Sequence, residues 1–333
     1  MKFSPRIIVN SLEAFQCRGS GISLFAKTLL ASLGSNAHPD ILIDTKTDIP
    51  CRILQESSLF QVHQAQRKDT RINKIRNAVF SANRFLRKSI TLKTVPENDR
   101  LFALALKKLG LEPSCDSVPV RGQVQIYGGK HLQRKSHLHY STTRKLTPLR
   151  LRLPITEKDN IVFHNPSPSP IFINGAKNIL TIHDFIAITH PELCLSNPSY
   201  EYDLASSLIN KYDHIHFISD YTANTAYSIF GETLRQKSSI ITQPISRHPQ
   251  HFEISTESCI RQRRELLNNF WGSGAGYIIQ VGTLEPKKNH MTALEAFLIL
   301  RNQHPHLRFL IVGKEGWLCE EVVSRIKDLS SYG

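Results

Sequence analysis

Near its start the chain carries a short apolar run, Ile7-Ile8-Val9, between Arg6 and Asn10, and then a glycine pair, Gly19 and Gly21. A run this short and β-branched predicts a buried strand, and the glycines predict a tight loop after it. From there Ile22, Phe25, Leu29, Leu30 and Leu33 recur at helical spacing, and Gly34 is placed to end the helix. Between residues 51 and 150 the pattern weakens to one helix at about 100–109 and one strand at 124–127. Beyond residue 160 apolar strands return at 161–163, 179–182, 215–218 and 240–242. They alternate with helices near 202–211 and from Ser219 or Asp220 to Gly231. Strand–helix alternation of this kind predicts parallel βαβ units.

A charged helix over 258–270 leads to Gly272-Ser273-Gly274-Ala275-Gly276, which reads as a linker. After it the pattern predicts a strand at 277–281, a helix at 289–302, a strand at 307–312 and a helix at 318–329. The expected architecture is α/β with two Rossmann-like, doubly wound domains, residues 1–271 and 272–333. Two strands are too few for a sheet of the usual size of about 5–6 strands, so the second domain is expected to be incomplete.

Charge changes the picture in one place. Residues 61–150 hold 19 Lys and Arg against 5 Asp and Glu, and the rest of the chain balances at 23 and 23. Such a block suits an anionic partner or is simply a solvated face. It has no recognisable nucleic-acid motif, so the expectation is no nucleic acid and an anionic membrane surface. Within it Val79, Phe80, Phe85 and Leu86 stand beside Arg76, Arg84, Arg87 and Lys88, a mixture suited to shallow insertion or to the buried side of a helix. The residues after Met1 hold no long apolar stretch, and apolar runs elsewhere are far short of the ~20 residues of a spanning helix. The six cysteines are scattered without paired spacing, which fits a reducing cytoplasm.

Candidate chemistry gathers at strand ends. Val281-Gly282-Thr283-Leu284-Glu285-Pro286-Lys287-Lys288-Asn289 lies between a predicted buried strand and a helix. A turn there offers backbone N–H groups and the positive helix end to an anion, and Lys287 and Lys288 add charge suited to a diphosphate. His164 and His183 each follow an apolar strand, at the edge where open α/β sheets bind ligands. A histidine so placed is also often a satisfied structural residue.

Residues 282–289, Glu295-Ala296-Phe297, and Leu310-Ile311-Val312-Gly313 with Gly316-Trp317 resemble glycosyltransferase family 4, whose donor domain begins with a Gly-Thr-Leu-Glu-Pro-Arg-Lys-Asn turn. Arg18-Gly19-Ser20-Gly21-Ile22 resembles the family's first-strand glycine loop, and Leu180-Thr181-Ile182-His183-Asp184 its Ile-His-Asp motif. The resemblance implies the GT-B fold and retaining sugar transfer from a nucleotide sugar. GDP-mannose is favoured, with a glycan or lipid-linked acceptor in surface-polysaccharide assembly and neither cofactor nor metal. It implies donor contacts at Gly19, Gly21, Gly282, Lys287 and Lys288, and a catalytic position for His183. His164, Asp184 and Ser219 become possible substrate contacts; Ser219 reads equally as an ordinary helix cap. Many relatives carry Arg after the glycine where this chain has Thr283. The family's later pair of glutamates has no counterpart here, so the chain is expected to be a fragment or a truncated product. Two other readings stay open: an inactive remnant or binding module, and an epimerase of the same architecture.

Overall fold

A computed structural model of the 333-residue chain describes residues 6–12, 21–34, 39–44, 89–97, 100, 104–105, 125–151, 161–242, 257, 261–262, 264–265 and 276–330. The chain divides into two compact units: Met1–Thr189 with Ser196–Ser246, and His190–Leu195 with Arg247–Gly333. The predicted boundary at 271/272, the membrane-facing run at 75–88 and most of the helix expected over 258–270 lie outside the described residues.

The first unit begins with β1 (Arg6–Asn10), α1 (Gly21–Gly34), β2 (Asp40–Asp44), β3 (Ile90–Thr91), β4 (Lys93–Val95), β5 (Ile126–Gly129) and α2 (Leu132–Thr143). It continues with β6 (Thr147–Arg150), β7 (Ile161–Asn165), β8 (Ile171–Ile173), β9 (Lys177–Ile182), a helical turn Ile186–Thr189, α3 (Pro198–Lys211), β10 (His214–Phe217), α4 (Asp220–Phe230) and β11 (Ser238–Ile240). Eight strands form the main sheet in the order β11-β10-β9-β7-β1-β2-β5-β4, and β3-β6-β8 form a second sheet. Every pairing in the main sheet is parallel except β4 against β5. The chain therefore runs outward from β1 through β2 to β5, then returns to lay β7 on the other side of β1 and runs outward again to β11. That reversal is the doubly wound order of Rossmann-like sheets.

Alternation along each strand fills both faces of this sheet. Val9, Ile41 and Ile43 pack with Ala26 and Leu30 of α1, while Ile8, Leu42 and Phe163 form a separate buried cluster. Leu180, Ile182, Ile215 and Phe217 pack with Leu204 and Leu208 of α3 and Ala223 and Ala226 of α4. Helix α4 starts where Ser219 Oγ accepts the Thr222 N–H at 3.2 Å, and it ends at Gly231, whose φ of 99° is open to glycine at no steric cost.

The second unit contributes β12 (Tyr277–Val281), a 3-10 turn Pro286–Lys288, α5 (His290–Gln303), β13 (Arg308–Val312) and α6 (Glu320–Ser330). β12 and β13 pair in parallel from Tyr277↔Arg308 to Val281↔Val312 and make a sheet of two strands. These four main elements lie within two residues of their predicted positions. No helix among the described residues is long and apolar enough to cross a membrane.

Several elements depart from the pattern-based expectation. The strand expected at 124–127 is observed two residues later, at Ile126–Gly129; Gln125 leads into it, with its N–H bonded to the Asp40 carboxylate at 2.8 Å and its carbonyl accepting the Ile41 N–H at 2.9 Å. The strand expected at 240–242 instead pairs as Ser238–Ile240. The Ser238 and Ser239 hydroxyls are satisfied there by Tyr227 OH and His214 Nε2, each at 3.0 Å. The strand expected at 161–163 runs on to Asn165, which shifts His164 from the strand end into the sheet.

Candidate functional site

Where strand order reverses, the crevice outside the carboxyl ends of β1 and β7 is the usual ligand position of an open α/β sheet. Its floor is a satisfied polar network. Asn10 Nδ2 donates to Asn165 Oδ1 at 2.7 Å, and Asn165 Nδ2 donates to the Ser169 carbonyl at 3.0 Å and to Tyr212 OH at 2.9 Å. Tyr212 OH in turn donates to the Ile171 carbonyl. All three side chains are buried, so each bond exchanged for water here is one the fold must keep.

His183 follows β9 at this same edge and is half-buried. Its Nε2 lies 2.8 Å from the Pro166 carbonyl, which only accepts, so Nε2 carries a proton and donates it there. The edge of the Phe25 ring, from the second turn of α1, meets the imidazole at 5.2 Å and 86°. From the other side Thr222 Oγ1 donates to the His183 carbonyl at 3.0 Å, and Ser219 Oγ lies 3.0 Å from that hydroxyl. His183 is thus fixed through Pro166 after β7, α1 and the start of α4. Ser219 acts as a helix cap one step removed from it.

Asp184 is exposed and its Oδ1 accepts the Ile186 N–H at 3.1 Å, opening the helical turn that follows. A residue the sequence reading missed stands near it. Glu201, in the first turn of α3, is half-buried and hydrogen-bonded to Ser196. Burial, and then the Asp184 charge, push its carboxyl up to about 7 against the pull of the Ser196 bond. A carboxyl poised near neutrality at a strand-end edge suits proton exchange with a substrate hydroxyl. The only hint in the sequence is its place just after the Asn197-Pro198 helix start.

His164 lies deeper. Its side chain is buried on the sheet face, with Nε2 at 2.8 Å from Thr181 Oγ1 and its ring 5.6 Å from that of His216. Burial and the neighbouring His216 push it down to about 3, so it is neutral and held within the sheet rather than presented at the edge. Gly19 lies outside the described residues, and Gly21 is the first residue of α1.

In the second unit the strand-end turn has a tight base. Gly282 N donates to the Val312 carbonyl at 2.9 Å, and Leu284 N to the Lys314 carbonyl at 2.9 Å. A Cβ on Gly313 would stand 1.7 Å from the Gly282 carbonyl oxygen, so the two backbones approach as only glycine allows. The two lysines behave differently. Lys287 Nζ is paired with the buried Glu285 carboxylate at 3.3 Å and lies 5.3 Å from the Trp317 ring centre. Lys288 is exposed, has no ion pair among the described residues, and lays its methylenes alongside Gly282. Lys287 is largely neutralised in place, which leaves Lys288 as the charge available to an anion. Among the described residues no group of three or more His, Cys, Asp or Glu is arranged to hold a metal ion.

A scan against protein-family models finds no matching family, and a search of curated proteins finds no match either.

Proposed function

We propose that the chain is a GT-B glycosyltransferase that takes a sugar from a nucleotide-sugar donor, GDP-mannose being favoured, and adds it to a glycan or lipid-linked acceptor. The observation that carries this reading is the turn at residues 282–289. It combines a strand end, a helix start and an exposed Lys288 without an ion pair among the described residues, a setting suited to a diphosphate. The doubly wound first unit adds a second strand-end site, where His183 Nε2 is held by the Pro166 carbonyl.

In this reading the donor diphosphate lies at the turn, with Lys288 and the N-terminus of α5 neutralising the charge that builds as the bond from sugar C1 to phosphate oxygen breaks. The acceptor hydroxyl forms the new bond to C1 and gives its proton to the departing phosphate. His183 and Glu201 are the first unit's side chains suited to hydrogen-bonding a sugar hydroxyl. No cofactor or metal takes part in this scheme. A cytoplasmic site at the inner membrane face, with surface-polysaccharide precursors as acceptors, completes it.

The test uses the purified 333-residue chain with labelled nucleotide sugars and a membrane extract. Transfer from GDP-mannose that is lost in Lys288→Ala is the expected result; sugar isomerisation without acceptor would replace the reading with an epimerase. One observation favours a second reading, a non-catalytic binding module: among the described residues the second unit has a sheet of only two strands. GDP binding without transfer to any acceptor would establish that alternative.

A further inference from the structure

The start of α5 is unlike a finished helix end. Its N-cap residue, Asn289, sits at φ 51° and caps no backbone N–H; its Oδ1 instead accepts from Thr292 Oγ1 at 2.8 Å. The first helical residue, His290, is 1% exposed, yet neither of its ring nitrogens has a hydrogen-bond partner. Gln280 Oε1, on the strand leading into the same turn, is also buried and unpartnered, while its Nε2 donates to the Lys288 carbonyl at 3.0 Å. Buried polar side chains almost always find partners, so three orphaned atoms around one turn mark a place built for a group that arrives from outside. Burial lowers the proton affinity of His290, the Glu285 carboxylate raises it and the Lys288 ammonium lowers it further. The ring therefore lies within the field of the turn.

We infer that the N-terminal turn of α5 is the second half of the anion site, and that the His290 ring donates to an oxygen of the phosphate group whose charge Lys288 neutralises. The inference rests on the reading of residues 282–289 as a diphosphate turn and adds to it a ligand-contact residue and an opening step. The ring is 1% exposed, so a ligand reaches it only if the turn opens. As the phosphate group arrives the turn parts, and the uncapped N–H groups of α5, the ring N–H and the Lys288 ammonium converge on it. Such a residue lowers the stability of the empty protein in favour of the bound one.

The experiment titrates the full chain with GDP and with inorganic pyrophosphate by calorimetry, alongside thermal unfolding, for wild type, His290→Leu, His290→Gln and Lys288→Ala. His290→Leu should weaken GDP about tenfold while leaving the unfolding midpoint equal or higher, since an apolar residue removes the orphaned nitrogens, and His290→Gln should recover most of the affinity. Unchanged affinity in His290→Leu beside a loss in Lys288→Ala overturns this inference and leaves the turn reading intact. Lost affinity with a lowered midpoint that Gln does not restore also overturns it, because the ring is then only packing. Absence of any GDP or pyrophosphate binding in wild type removes the turn reading and this inference together. Histidine-labelled wild-type protein gives an independent check: the ¹⁵N resonances of His290 should move on adding GDP, and stationary signals reject the contact.

Discussion

The two units are built from the same strand–helix alternation and differ in what their sheets have to bury. In the first, parallel strands are covered on both faces, and Ile8, Phe163, Leu180 and Phe217 are fully enclosed. In the second, β12 and β13 carry equally apolar sequences, yet Val281 is 72% and Ile279 51% exposed, and Ile299 of α5 is 67% exposed. Parallel sheets are normally covered on both faces, so this second sheet has apolar residues whose burial gain is unclaimed among the described residues. An apolar strand pattern thus reports a strand's identity, and neighbouring strands and helices decide whether it becomes a core.

The sharpest test of that contrast is truncation of one large side chain in each unit. Phe163→Ala should cost about 3–5 kcal/mol in urea unfolding, whereas Val281→Ala should change stability by roughly 0.5 kcal/mol or less. Equal costs would mean that β12 is as enclosed as β7.

A smaller effect is expected at the floor of the crevice. Asn165→Leu leaves Asn10 and Tyr212 without their shared partner and should cost on the order of 1–3 kcal/mol, with binding at the second-unit turn unchanged by calorimetry.

Acid should act on the first unit through its buried titrating groups. His164 and His216, held down to about 3 and about 4 chiefly by burial, bind fewer protons folded than unfolded. Their contribution is complete above the unfolded value of 6.5 and is lost as pH falls toward those folded values. Glu201, raised to about 7 from 4.5, works the other way: its contribution is complete below 4.5 and is lost as pH rises to about 7. Urea midpoints of wild type should therefore rise between pH 4 and 6.5. Glu201→Gln should steepen that rise and remove the decline between pH 6.5 and 7. The smallest change expected is Ser219→Ala, which removes the α4 cap and the hydroxyl beside Thr222 at a cost of about 1 kcal/mol, and should broaden the His183 signals in NMR.

Much of the second unit was legible in the sequence, because β12 and β13 are short apolar runs and α5 and α6 are longer segments set off from them by turns. In the first unit α2 was not, since its buried positions are Leu132, Ser136 and Tyr140. A serine in the middle of the stripe hides the period, and only the fold shows that its hydroxyl donates to the Gln133 carbonyl at 2.8 Å. β2 was hidden for a related reason: Asp40 and Asp44 bracket three apolar residues, and both carboxylates are buried. Asp40 pairs with Arg6 and the Gln125 N–H. The strand-end position of His183 was readable; its fixation by Pro166, Phe25 and Thr222 was not, because those contacts span 17, 158 and 39 residues of chain.

The closeness of Gly313 to Gly282 has a consequence for how this chain tolerates change over generations. In a saturation library Gly313 should accept no other amino acid, since even a methyl group would occupy the Gly282 carbonyl oxygen 1.7 Å away. Gly282 itself should accept alanine, whose methyl would meet only the Lys288 methylenes at 3.8 Å. The two glycines of the turn therefore carry unequal mutational freedom. Steric room at this locus is left at position 282, while the junction of β12 and β13 stays frozen.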